Sequence, residues 1–218
     1  MIWKAGQLSV LVSCWTVVIT VPLSLFIATY LYESKWRWLE IIFLLPLFVP
    51  PTVTGFFLLW LLSPKYPFGR FLDSLDCLPV FSQTGTVLAC VVVSFPLAFQ
   101  FCMVGLSRVR KELVESGSVL GGTDFFNTLR LVWPQLKSSL LGASLLVFAR
   151  AMGEFGASIM VGGNIPGETQ TLPLAVYSFA ESGDFAHAAQ AALACVGVAV
   201  SVYACLRLLE RKRDARGL

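Results

Sequence analysis

The chain has 218 residues, of which 56% are hydrophobic and 13% are charged, and its formal net charge at pH 7 is +3. A soluble globular domain carries about 25% charged residues, so the composition excludes that class and predicts an all-α, polytopic membrane protein. No HExxH, CxxC or GxxxxGK[ST] pattern is present, so we predict no catalytic residues, no metal site and no ATP-binding site in this chain.

Five segments are predicted to cross the bilayer as helices, because a hydrocarbon core of about 30 Å takes about 20 apolar residues. They cover residues 8–31, 41–62, 86–106, 138–161 and 188–209 of a single domain, 1–218. Bulky residues (Tyr30, Tyr32 and Trp36) follow the first segment where a signal peptide would have a small-residue cleavage site. The first segment is therefore predicted to be a retained span.

Lysine and arginine are concentrated after the first span, between the third and fourth, and after the fifth. The opposite side has only Lys4, Lys65 and Arg70 outside the spans. The positive-inside rule then predicts an external N-terminus and a cytoplasmic C-terminus. We interpret the basic tail as a topology signal and expect no nucleic-acid partner.

The second predicted span contains the sequence PLFVPPTVTG, with prolines at positions 46, 50 and 51 and a glycine at position 55. An interior proline removes a backbone donor and clashes with the preceding turn. Membrane helices tolerate this only where other groups satisfy the freed carbonyls. We predict a bend or a break near Pro50.

The inner loop, residues 107–137, contains VESGSVLGGTDFFNTLRLVWPQL. A first helix bearing Glu115 is predicted to end at Gly121, and Thr123 can cap a second short helix. Pro134 is predicted to open the fourth span, where its missing N–H has no cost. This cytoplasmic helix–turn–helix would expose Phe125 and Phe126 unless a partner covered them.

The spacing of four residues in this loop resembles the EAA loop of ABC-importer permeases: Glu115, Gly121, Leu131 and Pro134. The resemblance implies a coupling helix that docks into a groove on an ATP-hydrolysing subunit. The implied coupling surface also includes Gly117, Thr123, Phe125 and Phe126. The sequence departs from the family at Ser116 and Gly117, where alanines are usual, and at Trp133, where leucine is usual. Gly117 is expected to weaken the helix by about 1 kcal/mol. The alternative is an ordinary charged loop.

Two further stretches, LPLFVPPTVTGFFLL (45–59) and FARAMGEFGASIMVGGNIPGETQTLPLAVY (148–177), resemble molybdate permeases. This resemblance implies a type I ABC-importer permease fold in a prokaryotic cell membrane. It implies a permease homodimer above two copies of an ATP-binding subunit, which would hold the ATP and Mg, and a periplasmic or lipid-anchored molybdate-binding protein. No cofactor is expected in this chain. Sulfate, thiosulfate or tungstate remain alternative substrates, because related permeases share parts of the pattern.

Two charged residues interrupt the fourth span, Arg150 and Glu154, which are four residues apart and can touch on one helix face. One interpretation is a structural salt bridge that lowers the cost of two charges in the membrane. The other places Arg150 beside the route of an oxyanion, with Glu154 orienting it and limiting how tightly the anion is held. The candidate pathway or gate set is Arg150, Gly153, Glu154, Gly156, Pro50 and Pro51.

The second outer loop contains turn-forming residues, of which Asn164, Pro166 and Gly167 are candidate contacts for a binding protein. A surface turn without a partner is the alternative. Two other functional classes are alternatives: a secondary transporter that couples anion movement to protons through Glu154, and a membrane enzyme. Five spans do not divide into the two equal repeats that secondary transporters usually show.

Overall fold

The computed structural model describes residues 1–32, 34–35, 37–109 and 132–214, and the regular structure in these ranges is helical. A short 3-10 helix (Arg37–Leu39) precedes the second α-helix. The helices are α1 (Ile2–Tyr32), α2 (Glu40–Phe48), α3 (Pro51–Leu62), α4 (Pro67–Ser74), α5 (Gln83–Ser107), α6 (Trp133–Met152), α7 (Gly156–Val161), α8 (Leu172–Glu181) and α9 (Phe185–Asp214).

The centre of the fold is a bundle in which α1, α5 and α6 pack against one another. The buried face of α1 carries a row of small hydroxyl residues that are each at most 2% exposed, namely Ser9, Ser13, Thr16, Thr20 and Ser24. Their spacing of three or four residues places them on one helix face. Small residues on such a face allow membrane helices to approach closely. These residues therefore lie on the face of α1 that is buried in the bundle.

The second predicted span is broken, which confirms the expectation of a bend or break near Pro50. Helices α2 and α3 are bent by 118° relative to each other. Helix α3 restarts without a lost hydrogen bond, because Pro51 occupies its first turn and the Pro50 carbonyl accepts from the N–H groups of Val53 (2.9 Å) and Thr54 (3.1 Å). Helix α2 packs on α5, where Phe43 lies 5.5 Å from Phe95 between ring centroids.

The fourth predicted span, 138–161, contains two helices instead of one. Helix α6 ends at Met152 and α7 begins at Gly156. The Gly153 and Glu154 N–H groups still donate to Ala149 and Ala151 carbonyls, at 3.2 and 3.1 Å, and the backbone of Phe155 then leaves helical geometry. Glycine is a poor helix former, and the Glu154 side chain caps the new helix, as described below. Together these two features favour a break that apolar patterning does not reveal.

Three of the described helices are long and apolar enough to cross a membrane: α1, α5 and the part of α9 from Phe185 to Cys205. The bent pair α2–α3 counts as a fourth candidate if it is one broken span. Helices α6 and α7, which occupy the fourth predicted span, are not in this set.

The loops predicted to lie outside meet at one end of the bundle. The Phe81 N–H donates to the Val161 carbonyl at 2.8 Å, and the Leu172 N–H donates to Ser9 Oγ at 2.7 Å. Asp184 lies directly before α9, and its pKa is lowered because its carboxylate accepts a hydrogen bond from the His187 backbone N–H. The N-terminal part of α1 and both predicted outer loops therefore share one side, as the topology prediction requires.

Helices α3 and α7 touch at the level of their backbones, and this contact generates a prediction. A Cβ atom on Gly55 would lie 2.7 Å from the Ala157 Cα atom. We expect Gly55→Ala to destabilise the protein by about 1–3 kcal/mol, because the two helices would have to separate. The measurement is thermal unfolding of the detergent-purified protein.

The matched control is Gly197→Ala in α9, where a Cβ would have no atom within 4 Å. This variant should be neutral or stabilising by up to about 1 kcal/mol, because alanine is the better helix former. Equal unfolding temperatures for the two variants would contradict the backbone contact.

Candidate functional site

The two breaks in the spans lie against each other, although about a hundred residues separate them in sequence. A Cβ atom on Gly156, the first residue of α7, would lie 2.9 Å from the Thr52 backbone nitrogen and 3.2 Å from the Pro51 Cβ atom. The first turn of α7 therefore rests on the first turn of α3. Of the predicted gate residues, the structure thus brings Gly156 against Pro51, which directly follows Pro50 in the chain.

An ion pair lies at this junction. Arg150 Nη1, in the last turn of α6, is 2.6 Å from Glu154 Oε2, in the segment that links α6 to α7. Glu154 is 2% exposed, whereas 31% of the Arg150 side chain is exposed. Oxygen Oε2 has no hydrogen-bond partner among the described residues and relies on the guanidinium contact.

The other carboxylate oxygen of Glu154 caps the next helix. Oε1 accepts a hydrogen bond of 2.8 Å from the Ala157 N–H, one of the N–H groups that the start of α7 leaves without an intrahelical partner. A negative charge at this position also suits the helix dipole. One buried side chain thus connects the end of α6, the start of α7 and the partly exposed guanidinium.

Further polar groups line the interior next to this ion pair, and no sequence motif predicts them as part of the site. Cys90 Sγ of α5 lies 3.6 Å from Ser158 Oγ of α7, and Cys90 also contacts Thr16 of α1. All three side chains are buried. The row of hydroxyl residues on α1 is the sequence feature that indicates a polar interior here. Only the packing shows that its member Thr16 contacts Cys90.

The predicted contact loop is held by a side-chain network. Asn164 Nδ2 donates to Ser178 Oγ of α8 at 2.7 Å, and Gln170 Nε2 donates to Asn164 Oδ1 at 3.0 Å and to Ser178 Oγ at 3.2 Å. The Asn164 side chain is therefore engaged with α8, and the exposed tip consists of residues 165–168, which include Pro166 and Gly167. The turn-forming pattern indicates Asn164 but not Gln170 or Ser178, which come from a buried segment and from α8.

Most of the predicted ATPase-coupling residues lie outside the described residues: Glu115, Gly117, Gly121, Thr123, Phe125, Phe126 and Leu131. Pro134 is described and lies in the first turn of α6, where a proline costs no hydrogen bond. The helix itself begins one residue earlier, at Trp133. Pro134, which is predicted to open the fourth span, is thus the second residue of α6.

Residues 20–215 match the family described as binding-protein-dependent transport system inner membrane component. The chain belongs to this family, and it is the permease of a binding-protein-dependent importer in the inner membrane.

The Escherichia coli (strain K12) molybdenum transport system permease protein ModB is 32% identical over 98% of this chain and 97% of its own length. A putative molybdenum transport system permease of Bacillus subtilis, YvgM, is 39% identical over 67% of this chain and 65% of its own length. The sulfate transport system permease CysW of Synechococcus elongatus is 32% identical over 77% of this chain and 59% of its own length.

A solved structure of the MetNI methionine ABC transporter in an inward-facing conformation has the same fold. The TM-score is 0.63 at 13% sequence identity, over 95% of this chain and 94% of that chain. At this identity the likeness concerns the fold alone, which is that of a type I ABC-importer permease. The fold class predicted from sequence is therefore confirmed.

The ion pair yields a second prediction. We expect Arg150→Ala to destabilise the protein by about 1–3 kcal/mol, because it leaves the buried Glu154 carboxylate without its counter-charge. Glu154→Gln should destabilise it by less, because the Arg150 guanidinium that loses its counter-charge is partly exposed. The double variant should be less destabilised than the sum of the two, with a coupling energy of about 0.5–3 kcal/mol. Thermal unfolding of the unsubstituted protein, the two single variants and the double variant gives the coupling energy of this double-mutant cycle.

The matched control is the exposed pair of Asp184 and His187, whose side chains are 42% and 55% exposed. Solvent screening weakens such a pair, so its cycle should give the smaller coupling. If the losses of unfolding free energy in the two single variants add up to the loss in the double variant, the two side chains do not stabilise each other in the folded protein.

Proposed function

We propose that this chain is the membrane-spanning subunit of an ATP-driven molybdate importer and that Arg150 lies beside the anion route. The observation that carries the proposal is the position of the Arg150–Glu154 pair, within a break of the fourth span, in a chain whose relatives include molybdenum permeases. Non-helical backbone at membrane depth is tolerated only where protein buries it or where it borders a water-filled cavity. A charged break of this kind suits a passage for a polar solute.

Arg150 provides the attraction that a divalent oxyanion needs. A guanidinium binds tetrahedral oxyanions through a planar fork of N–H donors, and 31% of the Arg150 side chain is exposed. Glu154 opposes tight binding, because an arriving anion must compete with a carboxylate already in contact with the guanidinium. A conduit needs this balance, since a solute that binds too tightly does not leave.

The paired half-helices α3 and α7 offer a way to open and close this route. Their first turns are in contact, and Glu154 fastens α7 to the end of α6. A tilt of α6 would therefore move α7, and the contact at Gly156 would carry that motion to α3. We propose that these two half-helices act as one gating unit containing Gly153, Gly156, Pro50 and Pro51.

The energy for the cycle comes from a separate subunit in this proposal. Two copies of an ATP-binding subunit, which hold ATP and Mg, would lie beneath a permease homodimer and contact the coupling surface between Glu115 and Pro134. A molybdate-binding protein would deliver the anion to the tip around Pro166 and Gly167. The Asn164–Gln170–Ser178 network supports this assignment because it gives the tip a fixed base. The chain itself would be non-catalytic.

Sulfate is the second candidate substrate, and a specific observation favours it: a sulfate permease is similar over 77% of this chain. Molybdate and sulfate are both divalent tetrahedral oxyanions, so one arginine does not distinguish them. Selectivity is expected to lie mostly in the binding protein. Competition by molybdate, tungstate and sulfate for uptake ranks the three anions.

The third prediction tests the anion route. In proteoliposomes that contain this chain, its ATPase and its binding protein, Arg150→Ala should lower ATP-dependent uptake of radiolabelled molybdate about tenfold or more, since one charge-assisted hydrogen bond is worth about 1.5–3 kcal/mol. Arg150→Lys should retain an intermediate rate because it keeps the charge. The control is Arg70→Ala on an exposed helix of the predicted outer loop.

Uptake at the normal rate by Arg150→Ala would remove the residue from the route. Uptake by this chain without the ATPase, driven by a proton gradient, would refute the ATP-driven proposal and support the secondary-transporter alternative.

The fourth prediction tests the coupling surface. Gly121→Asp should abolish co-purification of the ATPase, because a charged side chain would occupy the predicted turn between the two coupling helices. The matched control is Gly6→Asp, near the N-terminus of α1 and on the side of the membrane opposite to the coupling loop in the predicted topology. A Cβ atom on Gly6 would have no atom within 4 Å. Co-purification of the ATPase with Gly121→Asp at the control level would contradict docking at this loop.

A further inference from the structure

A short helix between the second and third spans has an apolar face that the described part of the chain covers only in part. In α4 and its C-cap, Phe68, Phe71, Leu72 and Leu75 share one side, since they are three or four residues apart. Phe68, Phe71 and Leu75 are 49%, 60% and 55% exposed. Leu72 alone packs against the buried cluster around Leu62 and Ala89. The opposite side carries Arg70, Asp73 and Ser74.

The position of α4 is fixed by its neighbour in sequence. Helix α3 ends at Leu62 and α4 begins at Pro67. A Cβ atom on Gly69 would collide with the Ser63 carbonyl, so the backbone of α4 lies directly across the C-terminal end of α3. Helix α4 is therefore held at the level where the broken second span leaves the membrane.

The residues around this junction are those of a membrane–water interface. The rings of Trp60, in the last turn of α3, and Tyr66, just before α4, lie 4.5 Å apart between centroids, and both are exposed. Tryptophan and tyrosine concentrate at headgroup level, where an apolar ring body and a polar tip suit the boundary. The charges of α4 and its flanks are of both signs, with Lys65 and Arg70 against Asp73 and Asp76. Because the positive and negative charges are equal in number, we expect α4 to bind its surroundings through its apolar face and not through electrostatic attraction.

We propose that α4 is an interfacial anchor whose apolar face is inserted into the lipid at the end of the broken second span. Helix α3 also exposes aromatic side chains, Phe57 and Trp60, and Trp60 contacts Tyr66, the residue directly before α4. We therefore expect the medium around the end of α3 to meet α4 as well. An amphipathic helix at such a boundary buries its apolar face in the zone between headgroups and acyl chains. Because Gly69 presses α4 onto the end of α3, this anchor would fix the depth of the half-helix that contacts α7.

The test uses nitroxide labels in proteoliposomes of zwitterionic phospholipid. The starting protein retains buried Cys90 and Cys102, and serine replaces the other four cysteines. Phe71→Cys places a label on the apolar side, and Asp73→Cys places the matched control on the polar side. The label at 71 should be more accessible to oxygen than to a water-soluble nickel chelate and should lie about 5–10 Å below the phosphate level. The label at 73 should show the reverse preference.

Three results would overturn the proposal. Equal accessibility of both labels to the nickel chelate would show that water covers the apolar face. Dipolar broadening between labels at 71 would assign the face to a second copy of the chain, and immobilisation on adding the binding protein would assign it to that partner. If Phe71→Cys does not yield monodisperse protein, Phe68→Cys and Leu75→Cys report on the same face.

Discussion

A membrane-embedded chain cannot leave backbone groups or charges without partners, because no water is available to satisfy them. The Glu154 carboxylate meets this constraint twice at one point. It accepts the Ala157 N–H at the start of α7 and contacts the Arg150 guanidinium at the end of α6. The same group that permits a break in the fourth span therefore also neutralises the charge beside it.

This double role connects the stability of the site with its proposed function. A helix break and a charged side chain each have an unfavourable free energy in the bilayer. Here the Glu154 carboxylate lowers both costs, because it caps the helix after the break and neutralises Arg150. Arg150 keeps about a third of its side chain exposed while its partner is buried. The result is a cation that is held in place and partly accessible, which is the condition for weak, reversible binding of an oxyanion. An unpaired arginine would bind more tightly and would cost more to bury.

The contact between α3 and α7 extends this arrangement to a second broken span. Gly55 and Gly156 leave no room for side chains between the two helices. Their backbones therefore meet directly, and in our proposal the two half-helices move together. At the far end of α3, Gly69 sets α4 across the helix end. The same half-helix is thus fixed at one end by a protein contact and at the other, in our proposal, by the lipid interface.

Sequence alone determined the membrane class, the all-α fold, the break at Pro50 and the possibility of an Arg150–Glu154 contact. Composition, proline chemistry and the four-residue helical spacing are local properties, and each can be read from a short window. Other features appear only in the tertiary structure. The fourth span is divided after Met152, the Asn164 side chain donates a hydrogen bond to Ser178, and Gly156 packs against Pro51. These features depend on contacts between residues distant in sequence, whose partners become known only when the helices pack.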